Sequence, residues 1–245
     1  MRIVSWNIRA GGGVRAELIA KQLCRWRGDV VALQEFRATP PSRRLAEALA
    51  TQGLTHQETT IDPALPAANR LLVASRWPLE LMRSRSAPRE PGRWLLVRVL
   101  AQPGLIVGAM HAPNRVSGRK YPLLHAVHSL ARSWRDGPAL FAGDTNSGRI
   151  GLDEEAPAFN QREDRWMQAL DDAGWHDAYR RIHGDQRAYT WYSPNGRNGF
   201  RLDQAFVNRS LLPRLRGARY RWGRVSGDGR REALSDHAAL IVDFD

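Results

Sequence analysis

Four consecutive residues near the middle of the chain, Gly143-Asp144-Thr145-Asn146, combine residue types that can activate water. They follow an apolar run over residues 138–142, which predicts a buried strand. Because strand side chains alternate, Asp144 and Asn146 should project from the same side of the strand end. A carboxylate and a carboxamide placed together in this way can hold and deprotonate a water molecule. The same residues are also typical of a turn, so this stretch alone leaves both interpretations open.

Other polar residues that can bind a metal or donate a proton also stand beside apolar runs. They are Asn7, Glu35, His111, Asp203 and the pair Asp236-His237. Burial of several carboxylates is costly unless each is paired or binds a metal. Oxygen ligands with no cysteine nearby suit a hard cation such as Mg²⁺ or Mn²⁺, and a histidine beside that cation can donate to a charged oxygen. Asp203 falls inside a predicted strand, so we expect it to have a buried partner.

Hydrophobic periodicity predicts alternating strands and helices that place these residues at or near strand ends. No linker or repeat interrupts the pattern, so we expect one domain over residues 1–245. Such alternation is typical of stacked sheets covered by helices, an α/β (α+β) architecture. The predicted strands cover residues 2–7, 29–34, 70–75, 79–84, 93–100, 105–110, 138–142, 175–179, 189–192, 200–207, 218–224 and 238–244. The predicted helices cover residues 14–26, a segment after the prolines at 40 and 41, and residues 120–134 and 163–173.

The composition adds an expectation about partners and location. The chain has 245 residues, 42% of them hydrophobic, and a formal net charge of +12 carried mostly by arginine. This excess favours a polyanionic partner, although a general bias towards arginine codons would produce the same composition. The sequence has no apolar run of the ~20 residues that span a bilayer, so we expect no membrane partner. Its N-terminal residues lack the pattern of a secretory signal, which predicts a cytoplasmic location.

Six short motifs occur along the chain in a fixed order. They are Ser5-Trp6-Asn7, Leu33-Gln34-Glu35, Met110-His111-Ala112-Pro113, Gly143-Asp144-Thr145-Asn146, Arg201-Leu202-Asp203 and Ser235-Asp236-His237. Together they resemble the motifs of the endonuclease/exonuclease/phosphatase family, which includes deoxyribonuclease I, exonuclease III and inositol polyphosphate 5-phosphatases. Each motif alone has low specificity, whereas six in this order cover nearly the whole length of the chain.

The resemblance implies a fold and a set of roles. The expected fold is a two-sheet β-sandwich flanked by helices on both sides, deoxyribonuclease I-like, with the active site at one end of the sandwich. Glu35 would ligate Mg²⁺ or Mn²⁺, with Asn7 and Asp236 also at the metal. By the same resemblance, Asp144 would orient or deprotonate the attacking water, and Asn146 would help to hold it. His237 would donate to the phosphoryl oxygen, and Asp203 would fix the tautomer of His237. His111 would stabilise charge on the phosphate or the leaving group.

One departure from the family pattern bears on the substrate. The abasic-site branch of the family usually has aspartate two residues beyond the first asparagine, and here Arg9 stands at that place. That branch also tends to have tyrosine or another residue where His111 stands. Both differences argue against an abasic endonuclease.

The resulting hypothesis is a metal-dependent nuclease that hydrolyses DNA phosphodiester bonds with little sequence specificity and acts as a monomer. Basic residues flank the catalytic motifs and would contact the phosphate backbone, which positions a nucleic acid without reading its bases. One alternative is a phosphatase or phosphodiesterase for a small or lipid phosphate, such as an inositol phosphate or sphingomyelin. A further alternative is a non-catalytic nucleic-acid-binding protein on the same scaffold. The basic residues expected to contact nucleic acid are Arg37, Arg115, Arg119, Lys120, Arg149, Arg197 and Arg201.

Overall fold

The computed structural model describes residues 1–114, 117–223 and 233–245. Over these ranges, none of the helices is long and apolar enough to cross a membrane. The strands in chain order are β1 (Arg2–Asn7), β2 (Val30–Phe36), β3 (His56–Thr59), β4 (Arg70–Ser75), β5 (Leu79–Leu81), β6 (Trp94–Val99), β7 (Leu105–His111), β8 (Ala139–Asp144), β9 (Trp175–Asp177), β10 (Trp191–Tyr192), β11 (Gly199–Phe200), β12 (Asp203–Asn208), β13 (Leu215–Arg221) and β14 (Ala239–Phe244). The α-helices are α1 (Ala16–Trp26), α2 (Pro40–Thr51), α3 (Lys120–Ser133), α4 (Gln161–Asp172) and α5 (Ala178–His183).

The strands form two six-stranded mixed sheets and a short hairpin. The first sheet has the order β13-β14-β1-β2-β4-β3, the second has the order β5-β6-β7-β8-β12-β9, and β10 pairs with β11. At the centre of each sheet lies a parallel pair, β1 with β2 and β7 with β8. The strands on either side of each pair run antiparallel to it. The two carboxyl ends of a parallel pair lie at the same edge, so each sheet presents two strand ends together.

The sheets face each other across an apolar core, and helices cover their outer faces. Alternation along β1 shows how the sequence produces this arrangement, because Ile3 packs into the core between the sheets whereas Val4 and Trp6 pack with α1 and α2. On the second sheet, Val107 lies in the core between the sheets and Ile106 packs with α3 and α4. The expected two-sheet sandwich flanked by helices is therefore confirmed.

Several predicted strands differ from the structure. The strand predicted over residues 79–84 is observed as Leu79–Leu81, the one over 189–192 as Trp191–Tyr192, and the one over 218–224 as Leu215–Arg221, with residue 224 outside the described residues. Two other strands differ for reasons that the structure shows. The strand predicted over residues 175–179 ends at Asp177, because the Asp177 side chain accepts hydrogen bonds from the N–H groups of Tyr179 and Arg180 and begins α5. The strand predicted over residues 200–207 is split into β11 and β12. In the gap between them, the Arg201 N–H donates to Asp153 O instead of to a neighbouring strand.

Candidate active site

Strand ends from both sheets converge on one cleft of about 360 Å³. Asn7 and Gln34 are register partners at the end of the β1–β2 pair, and His111 and Asp144 are partners at the end of the β7–β8 pair. β12 begins at the same place, since Asp203 pairs with Asp144. The residues that line the cleft are Glu35, Asn69, Arg93, His111, Pro113, Asn114, Ser117, Arg119, Asp144, Asn146, Trp191, Leu202, Asp236 and His237.

Asp144 faces three polar side chains in this cleft although it is only 2% exposed. Its Oδ2 atom accepts a hydrogen bond of 3.0 Å from Asn7 Nδ2. The same oxygen lies 3.7 Å from His111 Nε2 and 3.9 Å from His237 Nε2. The other oxygen, Oδ1, accepts a 2.9 Å hydrogen bond from Asn146 N. Two imidazole nitrogens therefore approach the same carboxylate oxygen without a direct hydrogen bond, which leaves both directed at the space around it.

A close approach between two strands places Asp144. Gly143 has a φ of +148°, and a Cβ atom at this position would lie 1.8 Å from Met110 O, so any larger residue would force the strands apart. Beyond Asp144 the chain turns at Asn146, which has a φ of +47°. Asn146 Nδ2 then donates to Ala112 O at 2.8 Å. Asp144 and Asn146 both line the cleft, the arrangement that strand alternation predicts.

His237 is paired with a buried carboxylate. Its Nδ1 atom lies 2.9 Å from Asp203 Oδ2, and Asp203 is 0% exposed. Burial lowers the pKa of His237, but Asp203 and then Asp144 outweigh burial and raise this pKa to about 10. Burial also raises the pKa of Asp144 to about 7, an effect that His237 opposes and Asp203 reinforces. The site thus combines a protonated imidazole with a carboxyl group that can exchange a proton near neutral pH.

Two further carboxylates line the cleft, Glu35 on β2 and Asp236 just before β14. Glu35 has a φ of +60° and lies at a register shift between Gln34 and Phe36, an irregularity that re-aims a side chain at a strand end. The Asp236 side chain is 40% exposed, and its Oδ2 atom lies 3.9 Å from Arg9 Nε. Within the described ranges, no three His, Cys, Asp or Glu side chains are grouped to hold a metal. Two carboxylates nevertheless fit Mg²⁺, which proteins usually bind through one or two carboxylates, with water and substrate oxygens as the other ligands.

Asn7 connects the carboxylates of the two sheets. Its Nδ2 atom lies 3.0 Å from Asp144 Oδ2 and 3.3 Å from Glu35 Oε1. Its Oδ1 atom accepts a 3.0 Å hydrogen bond from Arg9 N. The amide nitrogen, not the oxygen, therefore faces the carboxylates. With this orientation Asn7 links the two carboxylates, and its place at the metal stays a prediction.

His111 is paired with a residue that the motifs did not identify. Arg93 Nη1 lies 2.7 Å from His111 Nδ1, and His111 N donates to Arg93 O at 3.1 Å. Burial lowers the pKa of His111 well below its usual value, and Arg93 and His237 lower it further, so the imidazole is neutral. The signal lies in the observed β6–β7 register, in which Val99 is the partner of Leu105, so counting back from the loop at residues 100–104 places Arg93 opposite His111.

The sequence profile of the Endonuclease/Exonuclease/phosphatase family matches residues 4–237. The chain belongs to this family. Membership in the endonuclease/exonuclease/phosphatase family supports a hydrolase of nuclease or phosphatase type, and the family is generally dependent on a divalent metal. The resemblance drawn from the six motifs is confirmed.

Solved structures of DNA-processing enzymes share the fold of this family member. An AP endonuclease from Archaeoglobus fulgidus matches with a TM-score of 0.81 at 19% identity, covering 100% of this chain and 99% of that one. A 3′-5′ exonuclease from Neisseria meningitidis matches with a TM-score of 0.78 at 22% identity, covering 100% of both chains. A 3′ phosphatase from Neisseria, bound to a product DNA hairpin, matches with a TM-score of 0.78 at 22% identity, covering 100% of this chain and 99% of that one. No protein with a curated description matches the sequence.

Two basic residues predicted to contact nucleic acid are buried in this family member. Arg201 is 0% exposed, and its guanidinium donates to Asp153 Oδ1 at 2.7 Å and to Asp177 Oδ2 at 2.6 Å. Lys120 is 2% exposed, and its ammonium group forms an ion pair with Glu163. The prediction of nucleic-acid contact is wrong for Arg201 and Lys120. Lys120 lies near one of the six motifs in sequence and Arg201 lies within another, but carboxylates from other segments hold both inside the protein.

The remaining predicted contacts differ in their position relative to the cleft. Arg119 lines it. Arg37 lies beside it and donates to Oδ1 of the cleft residue Asn69 at 2.6 Å. Arg149 lines a separate cavity. Arg115 lies outside the described residues.

A second cleft, of about 580 Å³, adjoins the first and shares Asp236 with it. Arg197, another of the predicted contacts, is exposed and lines this second cleft. The rings of Tyr192 and Trp222 lie there with their centroids 6.2 Å apart. The basic residues outnumber the acidic ones among the described residues of its lining. These residues are Arg9, Arg15, Tyr192, Ser193, Pro194, Arg197, Trp222, Ala233, Ser235 and Asp236.

Proposed function

We propose that this protein is a divalent-metal-dependent nuclease that hydrolyses DNA phosphodiester bonds with little sequence specificity. The observation that carries the proposal is the second cleft, where three arginines and two aromatic rings lie beyond the catalytic cleft. A compact phosphate substrate would not extend this far, whereas a phosphodiester chain would. Arginines neutralise backbone phosphates, and aromatic rings stack on bases of any sequence. Such contacts position the substrate without reading its bases.

Asp144 is the residue that activates water in this proposal. Its Oδ2 atom faces Nε2 of both His111 and His237 at distances too long for direct hydrogen bonds, so a water or a substrate oxygen fits between them. Because burial raises the pKa of Asp144 to about 7, this carboxylate can accept a proton from water near neutral pH. Asn146 lines the same cleft and would help to orient the water. General-base assistance of this kind contributes ~10²- to 10⁴-fold to the rate.

His237 and His111 would stabilise the charge that develops during attack. Asp203 accepts from His237 Nδ1, so the Nε2–H of the protonated His237 is available to a non-bridging phosphoryl oxygen. Fixed donors aimed at developing charge lower the barrier because they need no reorganisation during the reaction. His111 Nε2 approaches the same Asp144 oxygen as His237 Nε2 and would act on the phosphate or the leaving oxygen.

Glu35 and Asp236 would hold the divalent cation, and their oxygen ligands suit Mg²⁺ or Mn²⁺. When bound, the cation would stabilise negative charge on a phosphoryl oxygen. Asn7 donates to both Glu35 and Asp144. It therefore fixes the position of Glu35, which would bind the metal, relative to Asp144, which would activate the water. We therefore assign Asn7 a positioning role at the metal site.

A substrate panel with Mg²⁺ tests the proposal. It compares supercoiled DNA, single-stranded DNA, abasic duplex, RNA, inositol phosphates and sphingomyelin. We expect the native protein to cleave DNA and EDTA to abolish the cleavage. The Asp144→Asn variant, purified in the same way, should not cleave DNA, and this variant controls for contaminating nuclease. Hydrolysis of an inositol phosphate or sphingomyelin without DNA cleavage would assign the protein to the small-phosphate class. DNA binding without hydrolysis of any substrate would assign it a non-catalytic role.

A further inference from the structure

The Arg93–His111 pair defines which nitrogen of His111 carries the proton. Arg93 Nη1 lies 2.7 Å from His111 Nδ1. A guanidinium has only donors and stays protonated in proteins, so His111 Nδ1 must accept. An imidazole that accepts at Nδ1 is neutral and carries its hydrogen on Nε2. The Nε2–H group then lies 3.7 Å from Asp144 Oδ2, which is too far for a hydrogen bond and leaves it free to donate to a substrate oxygen.

The two histidines of the cleft therefore have opposite partners. Behind His237 stands the carboxylate of Asp203, which favours the protonated imidazolium. Behind His111 stands the guanidinium of Arg93, which excludes the imidazolium because two cations would then face each other. Both rings direct Nε2 towards Asp144 Oδ2. One cationic donor and one neutral donor thus approach the same carboxylate oxygen without a hydrogen bond to it.

The position of Arg93 is fixed by the backbone as well as by its side chain. His111 N donates to Arg93 O, which continues the β6–β7 ladder in which Trp94 is the partner of Met110. Arg93 itself lines the cleft. Within the described part of the chain, its guanidinium forms no ion pair with a carboxylate, and the acidic groups that attract it are Glu35, Glu90 and Asp144. A partly buried cation without an ion-pair partner, next to a catalytic histidine, is costly for stability alone.

We propose that Arg93 is a positioning residue that holds His111 as the neutral Nε2–H tautomer, so that His111 serves as a hydrogen-bond donor to the phosphate or leaving oxygen. The role rests on the proposed phosphodiester hydrolysis, in which negative charge develops at these oxygens. Without Arg93, the neutral ring can move its proton to Nδ1, and Nε2 then presents a lone pair to the substrate. That lone pair would repel the negative charge on the phosphate or leaving oxygen, whereas the Nε2–H group stabilises it.

Nuclear magnetic resonance of protein labelled with ¹⁵N-histidine tests the tautomer directly, without substrate and without turnover. In the native protein, His111 should show a protonated Nε2 and an unprotonated Nδ1. In Arg93→Ala, we expect a mixture of tautomers or a protonated ring, whereas Arg93→Lys should retain part of the native signal because lysine also donates. The matched control is Arg98→Ala on β6, the strand that follows Arg93. This change removes an arginine paired with Glu80 outside the cleft and should leave the His111 resonances unchanged.

Kinetics with DNA provide the second measurement. Arg93→Ala should lower kcat at least ~10-fold with a smaller change in KM, because the loss affects a donor used in the transition state. Added guanidinium ions should restore part of the rate in Arg93→Ala, which a general loss of structure would not allow. A native spectrum with hydrogen on Nδ1, or His111 resonances unchanged by Arg93→Ala, would overturn the inference. If the native protein cleaved no DNA, the proposed function would fail, and the tautomer measurement would still decide the role of Arg93.

Discussion

Asp203 is fully buried and places its Oδ2 atom 2.9 Å from Nδ1 of His237. Its other oxygen, Oδ1, has no hydrogen-bond partner among the described residues. The adjacent imidazolium is therefore the main group that stabilises this carboxylate. The pair defines both the charge and the tautomer of His237, since Nδ1–H is used by Asp203 and Nε2–H is left to the cleft.

Replacement of Asp203 should separate catalysis from folding. In Asp203→Asn the amide no longer favours the imidazolium, so we expect kcat to fall ~10²- to 10⁴-fold with little change in KM. Asp185→Asn, which removes an exposed carboxylate, is the control and should keep the native kcat. Steady-state kinetics and circular dichroism measure both effects. Native turnover in Asp203→Asn would contradict the assigned role of the pair.

Glu35 can be tested as a metal ligand without an activity assay. Glu35→Gln keeps the shape of the side chain but removes its charge, so Mn²⁺ should bind at least ~10-fold more weakly. Even the mutation of a residue that only supports a metal ligand lowers metal affinity ~10- to 100-fold. Electron paramagnetic resonance of free Mn²⁺ measures the affinity. Glu47→Gln, an exposed substitution on α2, should bind Mn²⁺ as the native protein does. Equal affinity in the two variants would remove Glu35 from the metal site.

The second cleft predicts a salt dependence of DNA binding. In the inactive Asp144→Asn background, the affinity for DNA should fall steeply with added salt. Arg197→Ala should reduce the slope of the logarithm of the binding constant against the logarithm of salt concentration by about 0.9, because one phosphate contact is lost. The loss should be similar for unrelated DNA sequences, because backbone contacts do not read bases. Arg44→Ala removes the same charge from the exposed surface of α2. Fluorescence anisotropy that showed the same slope change in both variants would indicate a general charge effect and exclude a specific contact at Arg197.

Asp153 should contribute to stability in a pH-dependent manner. It accepts hydrogen bonds from Arg201 Nε at 2.7 Å and from Arg201 Nη2 at 3.0 Å. Burial raises the pKa of Asp153, but Arg201 outweighs burial, and the pKa lies below its usual value. Because the folded-state pKa is depressed, this pair stabilises the protein fully above the usual Asp pKa of ~3.9. The contribution is lost as the pH falls from there through the folded-state value.

Urea denaturation measures this contribution. At pH 7, Asp153→Asn should lose about 3–5 kcal/mol, the usual cost of breaking a buried ion pair, and its difference from the native protein should shrink below about pH 4. The control is Glu80→Gln, because Glu80 pairs with Arg98 at the surface. This change should cost about 1 kcal/mol or less. If the difference in the free energy of unfolding between Asp153→Asn and the native protein stayed the same in acid, stability would not depend on the ionisation of Asp153.

Several of the predicted site residues line one cleft because they stand at or near strand ends. Apolar runs mark where a strand stops, and a polar residue at that point, such as Glu35 or Asp144, then lies at the edge of a sheet. The same reasoning missed Arg93, because this residue precedes a strand and belongs to no motif. Its role depends on the cross-strand register with His111, which requires the hairpin geometry.

The basic residues were harder to interpret because charge alone does not show which way a side chain points. By charge and position in the sequence, Lys120 and Arg201 look like Arg119 and Arg197. In the structure, Lys120 pairs with Glu163 and Arg201 pairs with Asp153 inside the protein. These carboxylates lie tens of residues away in the sequence. Helix α5 was missed for a related reason, since six residues are too few to show helical periodicity.

The pairing of β1 with β14 has a consequence for protein synthesis. Ser5 is the register partner of Leu240, and Trp6 Nε1 donates to His237 O at 2.9 Å. At synthesis rates of about 5–20 residues per second, roughly ten to fifty seconds separate the emergence of these two strands from the ribosome. During that interval the first sheet lacks its partner strand and the cleft lacks His237. The proposed active site is therefore incomplete until β14 has been synthesised and has paired with β1.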